Sequence, residues 1–564
     1  MAECEAAPAH NGGAKGVEET NGENGVGMES STTDACSSSV ASEAGTVANG
    51  GLTHSNGSIQ HLQQQMEEDS LDDDQAKEIK KRADKHKEEG NVLFKAGHYV
   101  EASEEYTSAI LICTEHENDI LKADLHIYFS NRAFCQLRLE NFGSCIVDAE
   151  RALQVKPSFT KAAYRRGCAY MLLSKWKLAS KDFTTVFNAT KDKDAELKMK
   201  ECQKMIKQQK FAEAIRMEKA KPISETIEVD HITVAESYDG PRYQRGESGA
   251  EFLKELLAWM KEQKTLHKRY AYEIVLDAIN LLKQKKALNY VTVPEGKQFT
   301  VCGDVHGQFY DLLNIFEMNG LPSEENPYLF NGDFVDRGSF SVECTLAVFA
   351  AMVIFPSHFH LNRGNHETKN MNKIYGFEGE VKAKYDQPLY DLCAEAFCLL
   401  PLSHVLNKKV FVTHGGLFSK DDVTLNDIEK VDRDGEPPDE GLFVEMLWSD
   451  PQVPRGRAPS KRGVGVAFGP DVTANFLEKN GLDLVVRSHE MKPAGYEVEH
   501  GGKLVTVFSA PNYCDQMGNQ GAFMRFTAEP DGRMSFKCTS FDHVPHPPVK
   551  AMAYAKPFLA SGLF

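Results

Sequence analysis

The sequence predicts a multidomain chain: an all-α superhelix of short repeats followed by an α/β domain. Three observations carry that prediction. Small and aromatic residues recur 34 positions apart within residues 76–220. Past residue 285, short β-branched runs alternate with helical stretches, the pattern of a sheet with covering helices. The 564 residues also leave room for two or three domains at roughly 100–200 residues each.

The first element is a tail over residues 1–75. Residues 1–74 hold 14 Asp and Glu against Lys15 alone and contain no Phe, Tyr or Trp. Such a segment buries too little apolar surface to offset its chain entropy, so a disordered, solvating tail is expected, ended by the acidic run at 72–74. It carries most of the net charge of −18. Nucleic acid is excluded as a general partner, because phosphate binding needs clustered Lys and Arg. The 13 cysteines include no C-x-x-C pair, which points to reduced thiols rather than a zinc site or disulfide framework. No apolar segment of secretory type follows Met1. The longest apolar run, 346–355, has ten residues and stops at Pro356, short of the ~20 that a membrane-spanning helix needs. A cytoplasmic and nuclear monomer is expected.

The helical segment, 76–220, is built from repeats. Gly167, Tyr170, Ala179 and Phe183 mark one unit. Ala133, Cys145, Ala149, Ala152 and Pro157 mark another 34 residues earlier, and Gly90, Ala102, Tyr106 and Ala109 a third, 43 residues before that. A 34-residue helix-turn-helix unit with small residues at the helix crossings resembles the tetratricopeptide repeat, for which three units are about the minimum stack. The first interval is nine residues longer, around 113–124. A closing helix is expected over 195–215, with Leu197, Met199, Cys202, Met205 and Ile206 as its apolar positions. Residues 221–248, punctuated by Pro222, Gly240, Pro241 and Gly246, read as a linker. Amphipathic helices near 251–262 and 271–285 open the next domain, 249–545, and a C-terminal tail follows over 546–564.

Strands are expected at 299–302, 328–330, 358–361, 409–413, 483–487 and 504–508. The first five end in polar motifs: Gly303-Asp304-Val305-His306-Gly307, Gly332-Asp333-Phe334-Val335-Asp336-Arg337-Gly338, Arg363-Gly364-Asn365-His366-Glu367, Thr413-His414-Gly415-Gly416 and Arg487-Ser488-His489-Glu490. Groups at the carboxyl ends of strands converge in one crevice. Asp, Asn and His without thiolates suit Mn, Fe or Zn. If two ions sit ~3.5–4 Å apart, one carboxylate must bridge them, and Asp333, central in the series, is the natural bridge. A lone Asp-x-His is weak evidence. Three successive strand-end motifs, spaced 29 and 32 residues between Asp304, Asp333 and Asn365, are not.

This set closely resembles the metallophosphoesterases, and within them the phosphoprotein phosphatase family of serine/threonine phosphatases. The likeness runs over about residues 250–545. It extends to Leu447-Trp448-Ser449-Asp450-Pro451, Lys461-Arg462-Gly463 and Ser509-Ala510-Pro511-Asn512-Tyr513-Cys514. The resemblance implies a β-sandwich flanked by helices, two divalent metal ions and phosphoprotein substrates. It implies that Asp304 and His306 hold one ion, that Asp333 bridges, and that Asn365, His414 and His489 complete the other. It gives His366 the general-acid position with Asp336 as its orienting partner, and Arg337, Arg462 and Tyr513 the phosphate pocket. Asn362 stands where the family usually has an apolar residue and is expected not to touch the chemistry.

Physical chemistry agrees with those roles. Two cations lower the pKa of a shared water to near ~7, so that hydroxide attacks phosphorus directly. Arg forks match the equatorial oxygens, and a His held by a carboxylate can protonate a poor alkoxide leaving group. The one Cys-x5-Arg, Cys145 with Arg151, lacks glycines and falls in a repeat helix, so cysteine-based phosphatase chemistry is not indicated. His358, His404 and His543 belong to no constellation. Cys302 and Cys514 adjoin the motifs and read as packing residues.

On the repeats, Lys87, Asn91, Asn131, Lys161 and Arg165 fall on first helices. Lys87/Asn91 and Lys161/Arg165 are i,i+4 pairs that share a face. The set resembles the carboxylate clamp of chaperone-binding tetratricopeptide repeats, which implies the acidic C-terminal peptide of the heat-shock chaperones Hsp90 or Hsp70. Repeats placed before such a catalytic domain also imply autoinhibition, with the tail from residue 549 onward as a latch. Met552, Tyr554, Phe558 and Leu559 are its candidate contacts, and Pro557 interrupts its helix. The competing readings are a chaperone-linked scaffold with little catalysis and a phosphoesterase acting on nucleotides.

Overall fold

A computed structural model of the chain describes residues 71–116, 118–215, 221–530 and 533–555. The expected tail up to residue 70, and Pro557, Phe558 and Leu559, lie outside these residues.

Helices pair in the repeat segment: α1 (Asp73–Ala96) with α2 (Tyr99–Thr114), α4 (Leu125–Arg138) with α5 (Phe142–Val155), α6 (Thr160–Leu172) with α7 (Trp176–Thr190), then α8 (Lys193–Ile215). The longer interval contains a one-turn helix, α3 (Asp119–Lys122), capped by the Asn118 side chain and anchored by buried Leu121. The acidic run at 72–74 is not the end of a tail. Asp72 caps α1 by accepting from the Asp74 and Gln75 amides, and Asp73 and Asp74 fill its first turn, where carboxylates oppose the helix dipole.

The repeat offset has a packing cause. A Cβ on Gly90 would stand 2.9 Å from the Tyr106 ring, and one on Gly167 3.1 Å from that of Phe183. Each small residue thus admits the ring sixteen positions on, while fully buried Ala133 and Ala149 hold the equivalent positions in the middle unit. A buried ion pair repeats at the same interval: Arg132 donates through two nitrogens to Asp148 (2.8 and 2.7 Å), and Arg166 to Asp182 (2.9 and 2.8 Å). On α8, Ala195 and Cys202 are buried, but Leu197 is 63% exposed, contrary to its expected place on the apolar face. The helix turns its core side through Ala195, Met199, Cys202, Met205 and Ile206, and Leu197 falls off that stripe.

The 221–248 segment, expected to be a linker, lies against the α/β domain. Val229 and Tyr243 are buried in its core, and Glu395 accepts from the Ser224 amide and hydroxyl at 3.0 and 2.5 Å. Apolar residues spaced between the prolines and glycines account for this.

The α/β domain begins with α9 (Ala250–Lys261) and α10 (Lys268–Leu282) and contains two mixed sheets. One has the order β1 (Leu288–Val291), β5 (Ser403–Leu406), β6 (Val410–Thr413), β10 (Leu484–Arg487), β12 (Leu504–Val507), β11 (Tyr496–Glu499). The other has β14 (Met534–Phe541), β13 (Gly521–Ala528), β2 (Gln298–Cys302), β3 (Tyr328–Phe330), β4 (Phe359–Leu361). A three-stranded sheet, β7 (Asp450–Pro451), β9 (Val466–Phe468), β8 (Arg457–Pro459), stands apart. An apolar layer with Val301, Leu329, Val412, Val486, Val505 and Phe526 fills the space between the two large sheets. Helices α11 (Phe309–Asn319) and α12 (Ser341–Ile354) connect the parallel strands β2, β3 and β4. Their carboxyl ends open at one rim, as do those of parallel β6, β10 and β12. A bridge between Asp304 and Phe508 links the two sheets there.

Candidate active site

The strand-end motifs meet at that rim. Backbone strain marks the place: His306, Asp333, Asp336, Arg337 and His489 have φ of 47, 51, 69, 70 and 70°, a region costly for residues with a Cβ and concentrated at functional sites. Asp333 is buried and central. Its Oδ1 accepts from the His366 amide at 2.8 Å, and its Oδ2 lies 3.7 Å from His306 Nε2 and 3.2 Å from His414 Nε2. Asp304 Oδ2 lies 3.6 Å from His306 Nε2, and Asp304 Oδ1 accepts from the His489 amide at 3.1 Å.

The imidazoles are aimed by their far nitrogens. His306 Nδ1 donates to Val335 O at 3.0 Å and His414 Nδ1 to Asn331 O at 2.8 Å. With those protons placed, the Nε2 lone pairs face the carboxylates. His414 Nε2 also meets Asn365 Oδ1 at 2.9 Å and His489 Nδ1 at 3.2 Å, and buried His489 Nε2 has no hydrogen-bond partner. Acceptors turned toward acceptors in a buried site favour a positive charge between them, either a proton on Nε2 or a bound cation. Electrostatics agree. Burial opposes charge on His414, yet Asp333 outweighs it and pushes the imidazole up to about 9. Burial would raise the Asp333 carboxyl, but His414, His366 and His306 hold it well below the usual range. The groups His306, Asp333, His366 and Asp333, His414, His489 each bring ligand atoms within 4.8 Å of one another. This donor set suits divalent metal ions.

His366 is oriented separately. Its Nδ1 donates to Asp336 Oδ2 at 2.9 Å, leaving Nε2 free. Asp336 is fully buried and pinned by Asn372 Nδ2 (3.2 Å) and the Phe377 amide (2.9 Å).

Comparison with known proteins fits this geometry. Residues 297–493 match the family model of calcineurin-like phosphoesterases, and residues 199–290 that of the PPP5 TPR repeat region. The chain is 49% identical to human serine/threonine-protein phosphatase 5 across 86% of its own length and 95% of that protein's. It belongs to the serine/threonine-protein phosphatase 5 family. The phosphatase 5 of Arabidopsis thaliana is also 49% identical, over 85% of this chain and 97% of that one. A solved protein serine/threonine phosphatase from Saccharomyces cerevisiae, described as similar to human phosphatase PP5, is 43% identical with a TM-score of 0.52 and covers 54% of this chain and 100% of its own. This phosphatase 5 relative is therefore a protein serine/threonine phosphatase, with a tetratricopeptide region before a calcineurin-like metallophosphoesterase domain.

The expected phosphate pocket holds a carboxylate. Arg337 stacks on Tyr375 (3.8 Å) and ion-pairs with Glu140, which lies in the turn between α4 and α5. Burial would raise the Glu140 carboxyl, but Arg337, His366 and Arg462 hold it below its ordinary value. Arg462 donates to Asp450 Oδ2 (2.6 Å) and His489 O (3.0 Å). Tyr513 packs on His306 with ring centres 5.1 Å apart. Around Glu140 the repeat turn is seated on the catalytic domain. The Ser144 amide donates to Lys461 O at 3.1 Å, and a Cβ on Gly143 would come within 2.5 Å of Gly463 N. Met371, Ile374 and Tyr375 of α13 (Lys369–Tyr375) are buried in one cluster with the repeat core.

Among the expected clamp residues, three are linked. Asn131 Nδ2 donates to Asn91 Oδ1 (3.4 Å), and Arg165 donates to Asn131 Oδ1 (3.4 Å) and Ser130 Oγ (2.7 Å) while lying over the Phe134 ring. Lys87 pairs with Asp84 and Glu88, and Lys161 is exposed. In the tail, the Met552 amide donates to Arg337 O (2.7 Å), and the Tyr554 ring lies 5.8 Å from Lys384 Nζ. Cys145 is buried in α5, which pushes its thiol up, away from thiolate chemistry.

Sequence reasoning missed several residues here. Glu140 carries no local signal, being one acid in a turn. Glu367 accepts from the Asp333, Phe334 and Gly364 amides at 2.8, 3.0 and 2.7 Å and is pushed up to about 8 by burial and Asp333. Its place in the Asn-His-Glu motif was the available clue. His404, expected to be structural or at the surface, is buried and hydrogen-bonds Asn362.

Proposed function

We propose that the enzyme hydrolyses phosphoserine and phosphothreonine by direct attack of water, with His366 as general acid and the repeats as a gate. The observation that carries this reading is the His366–Asp336 contact of 2.9 Å beside the Asp333 cluster. Asp304, His306 and Asp333 would hold one ion, and Asp333, Asn365, His414 and His489 a second, of Mn, Fe or Zn type. When bound, such ions supply Lewis-acid activation of water and neutralise phosphate charge.

The chain's own residues do the rest. Arg337 and Arg462 orient the phosphate by matching its oxygens with guanidinium forks, and Tyr513 closes the pocket beside them. Asp336 holds His366 by Nδ1, so the proton on Nε2 is given to the departing serine or threonine oxygen. A positioned acid of this kind is worth about 10²–10⁴ in rate. The test is phosphate release from a phosphoserine peptide by the full chain, with Mn²⁺ and with chelator. Release that survives full metal removal would refute the reading, and no release with metal present would favour the scaffold alternative.

The gate is Glu140. Its carboxylate pairs with Arg337, where a phosphate oxygen would bind, and the Gly143–Ser144 contact and shared apolar core support the closed arrangement. The groove of Asn91, Asn131 and Arg165, flanked by Lys87 and Lys161, would take the acidic C-terminal peptide of Hsp90 or Hsp70 type. That peptide opens the gate only by its differential affinity for the open form. The unpaired cysteines among the described residues support a reducing, cytoplasmic and nuclear setting, and the gate, being intramolecular, works in a monomer.

A further inference from the structure

The residue that aims His366 stands on a strained loop. Asp336, which accepts from His366 Nδ1, and its neighbour Arg337 have φ of 69 and 70°, and such backbone persists only where its surroundings over-determine it. Arg337 has its own anchors: its amide donates to Tyr375 O (3.2 Å) and its guanidinium stacks on the Tyr375 ring. Asp336 is held differently. Its amide donates to Oγ of Ser341, the first residue of α12, at 3.0 Å.

Ser341 is in turn held by one carboxylate. Glu380 lies on α14 (Phe377–Lys384), is 1% exposed, and accepts from the Ser341 and Val342 amides at 3.0 and 2.9 Å, one on each oxygen. Those amides belong to the first turn of α12, whose donors have no partner within the helix. Lys384, one turn further along α14, donates to Glu380 (2.8 Å), to Glu343 of α12 (2.6 Å) and to Ser339 O (3.3 Å). At the start of α14 the Phe377 amide donates to Asp336 Oδ1 (2.9 Å). Phe377, Glu380 and Lys384 share one face of α14. That face therefore grips both ends of the loop 336–341: the Asp336 carboxylate directly, and the Asp336 backbone through Ser341. A helix start by itself is served by a single hydroxyl or amide oxygen. A carboxylate that spends both oxygens on successive amides fixes direction as well.

We infer that Glu380 is a positioning residue for the general acid: through Ser341 it sets the backbone of Asp336, and so the direction in which Asp336 aims His366. Glu380 touches neither substrate nor the reacting atoms. The inference rests on the general-acid reading of His366 proposed above.

The test measures kcat and KM of the full chain with Mn²⁺ on a phosphoserine peptide and on p-nitrophenyl phosphate, whose phenolate leaves with little protonation. Glu380→Gln turns an amide NH₂ toward one of the two backbone donors. It should lower kcat on the phosphopeptide roughly tenfold, part of the about 10²–10⁴ that a positioned acid supplies, and on the aryl phosphate by no more than about twofold. KM should change little, because Arg337 keeps its own anchors. Added to His366→Ala, Glu380→Gln should cost nothing further on the phosphopeptide, since residues that act as a unit are not additive. Glu380→Gln also weakens the start of α12, which could cost folding. Ser341→Ala leaves both Glu380 contacts, which go to backbone, and removes only the hydroxyl, which also donates to Gly338 O at 3.2 Å. It should show the same split between substrates with a thermal midpoint near that of wild type, and it decides the matter if Glu380→Gln does not fold. Unchanged kcat, equal losses on both substrates, or full additivity with His366→Ala would overturn the inference and leave Glu380 a helix anchor. Equal losses on both substrates in His366→Ala alone would overturn the general-acid reading itself, and this inference with it.

Discussion

The catalytic crevice and the repeat groove both gather cations and amides around a place for an anion, yet only the crevice does so on strained backbone. His306, Asp333, Asp336, Arg337 and His489 all have positive φ, and backbone amides or buried partners fix most of their side chains. In the groove, Asn91, Asn131 and Arg165 stand on regular helices, lean on one another, and leave Lys161 in solvent. The difference follows from the tasks proposed for the two. Bond cleavage needs groups held in one geometry, and the strain of doing so is carried by the surrounding sandwich. Docking a flexible acidic peptide needs only charge and amides on one face of a helix stack.

If that contrast is right, single substitutions should act far more severely in the crevice. Asp333→Asn should abolish both turnover and Mn²⁺ retention. His366→Ala should keep its metal but lose about 10²–10⁴ in kcat on a phosphoserine peptide. Its loss should be smaller on a substrate with a phenolate leaving group, which needs less protonation. Steady-state kinetics on the two substrates check this, and equal losses on both would remove His366 from the general-acid role.

The groove should respond more mildly. Arg165→Glu is expected to weaken binding of an acidic chaperone-tail peptide by at least roughly tenfold, about 1.4 kcal/mol. Added salt should weaken the wild-type interaction, since half-exposed charges are screened. Calorimetric titration at two ionic strengths reads both effects. Unchanged affinity would make these residues an ordinary solvated face.

The smallest effect concerns the tail beside the crevice. Burial alone would lower the His546 pKa, but the Pro547 carbonyl and Asp515, 3.0 Å away, raise it. A raised folded pKa means that the contact's contribution is complete below the unfolded value near 6.5 and is lost as pH rises through the folded value. Hydrogen exchange at the Met552 and Ala553 amides, corrected for intrinsic rates, should therefore show less protection at pH 8 than at pH 5.5. Equal protection would detach His546 from the tail.

The same contrast explains what was legible in the sequence. Strand-end motifs read clearly because glycine, Asp and His are required together, so Asp304, Asp333, Asn365, His366, His414 and His489 could be singled out and do converge. The repeats read through small residues at fixed offsets, for which Gly90 against Tyr106 and Gly167 against Phe183 give the reason. What stayed hidden depends on tertiary partners. Glu140 is one acid in a turn until Arg337 lies opposite it. The partners of Asn362, Asn331 and His404, lie far from it in sequence. Residues 221–248 looked like a tether because Pro and Gly masked the spacing of Val229 and Tyr243. Strands β11, β13 and β14 escaped notice because β11 and β14 are edge strands turned largely to water, and β13 pairs with β2, far away in sequence.

The contact that matters most is that of the repeat domain's Glu140 with Arg337 of the proposed phosphate site. The measurement is the initial rate of wild type and Glu140→Gln on one small phosphopeptide at saturating Mn²⁺. Loss of the ion pair to Arg337 should raise the rate roughly tenfold, the factor carried by about 1.4 kcal/mol. Acidic peptide should then activate the variant little further. Equal rates for the two proteins, with wild type still activated by the peptide, would contradict the account and place the gate elsewhere.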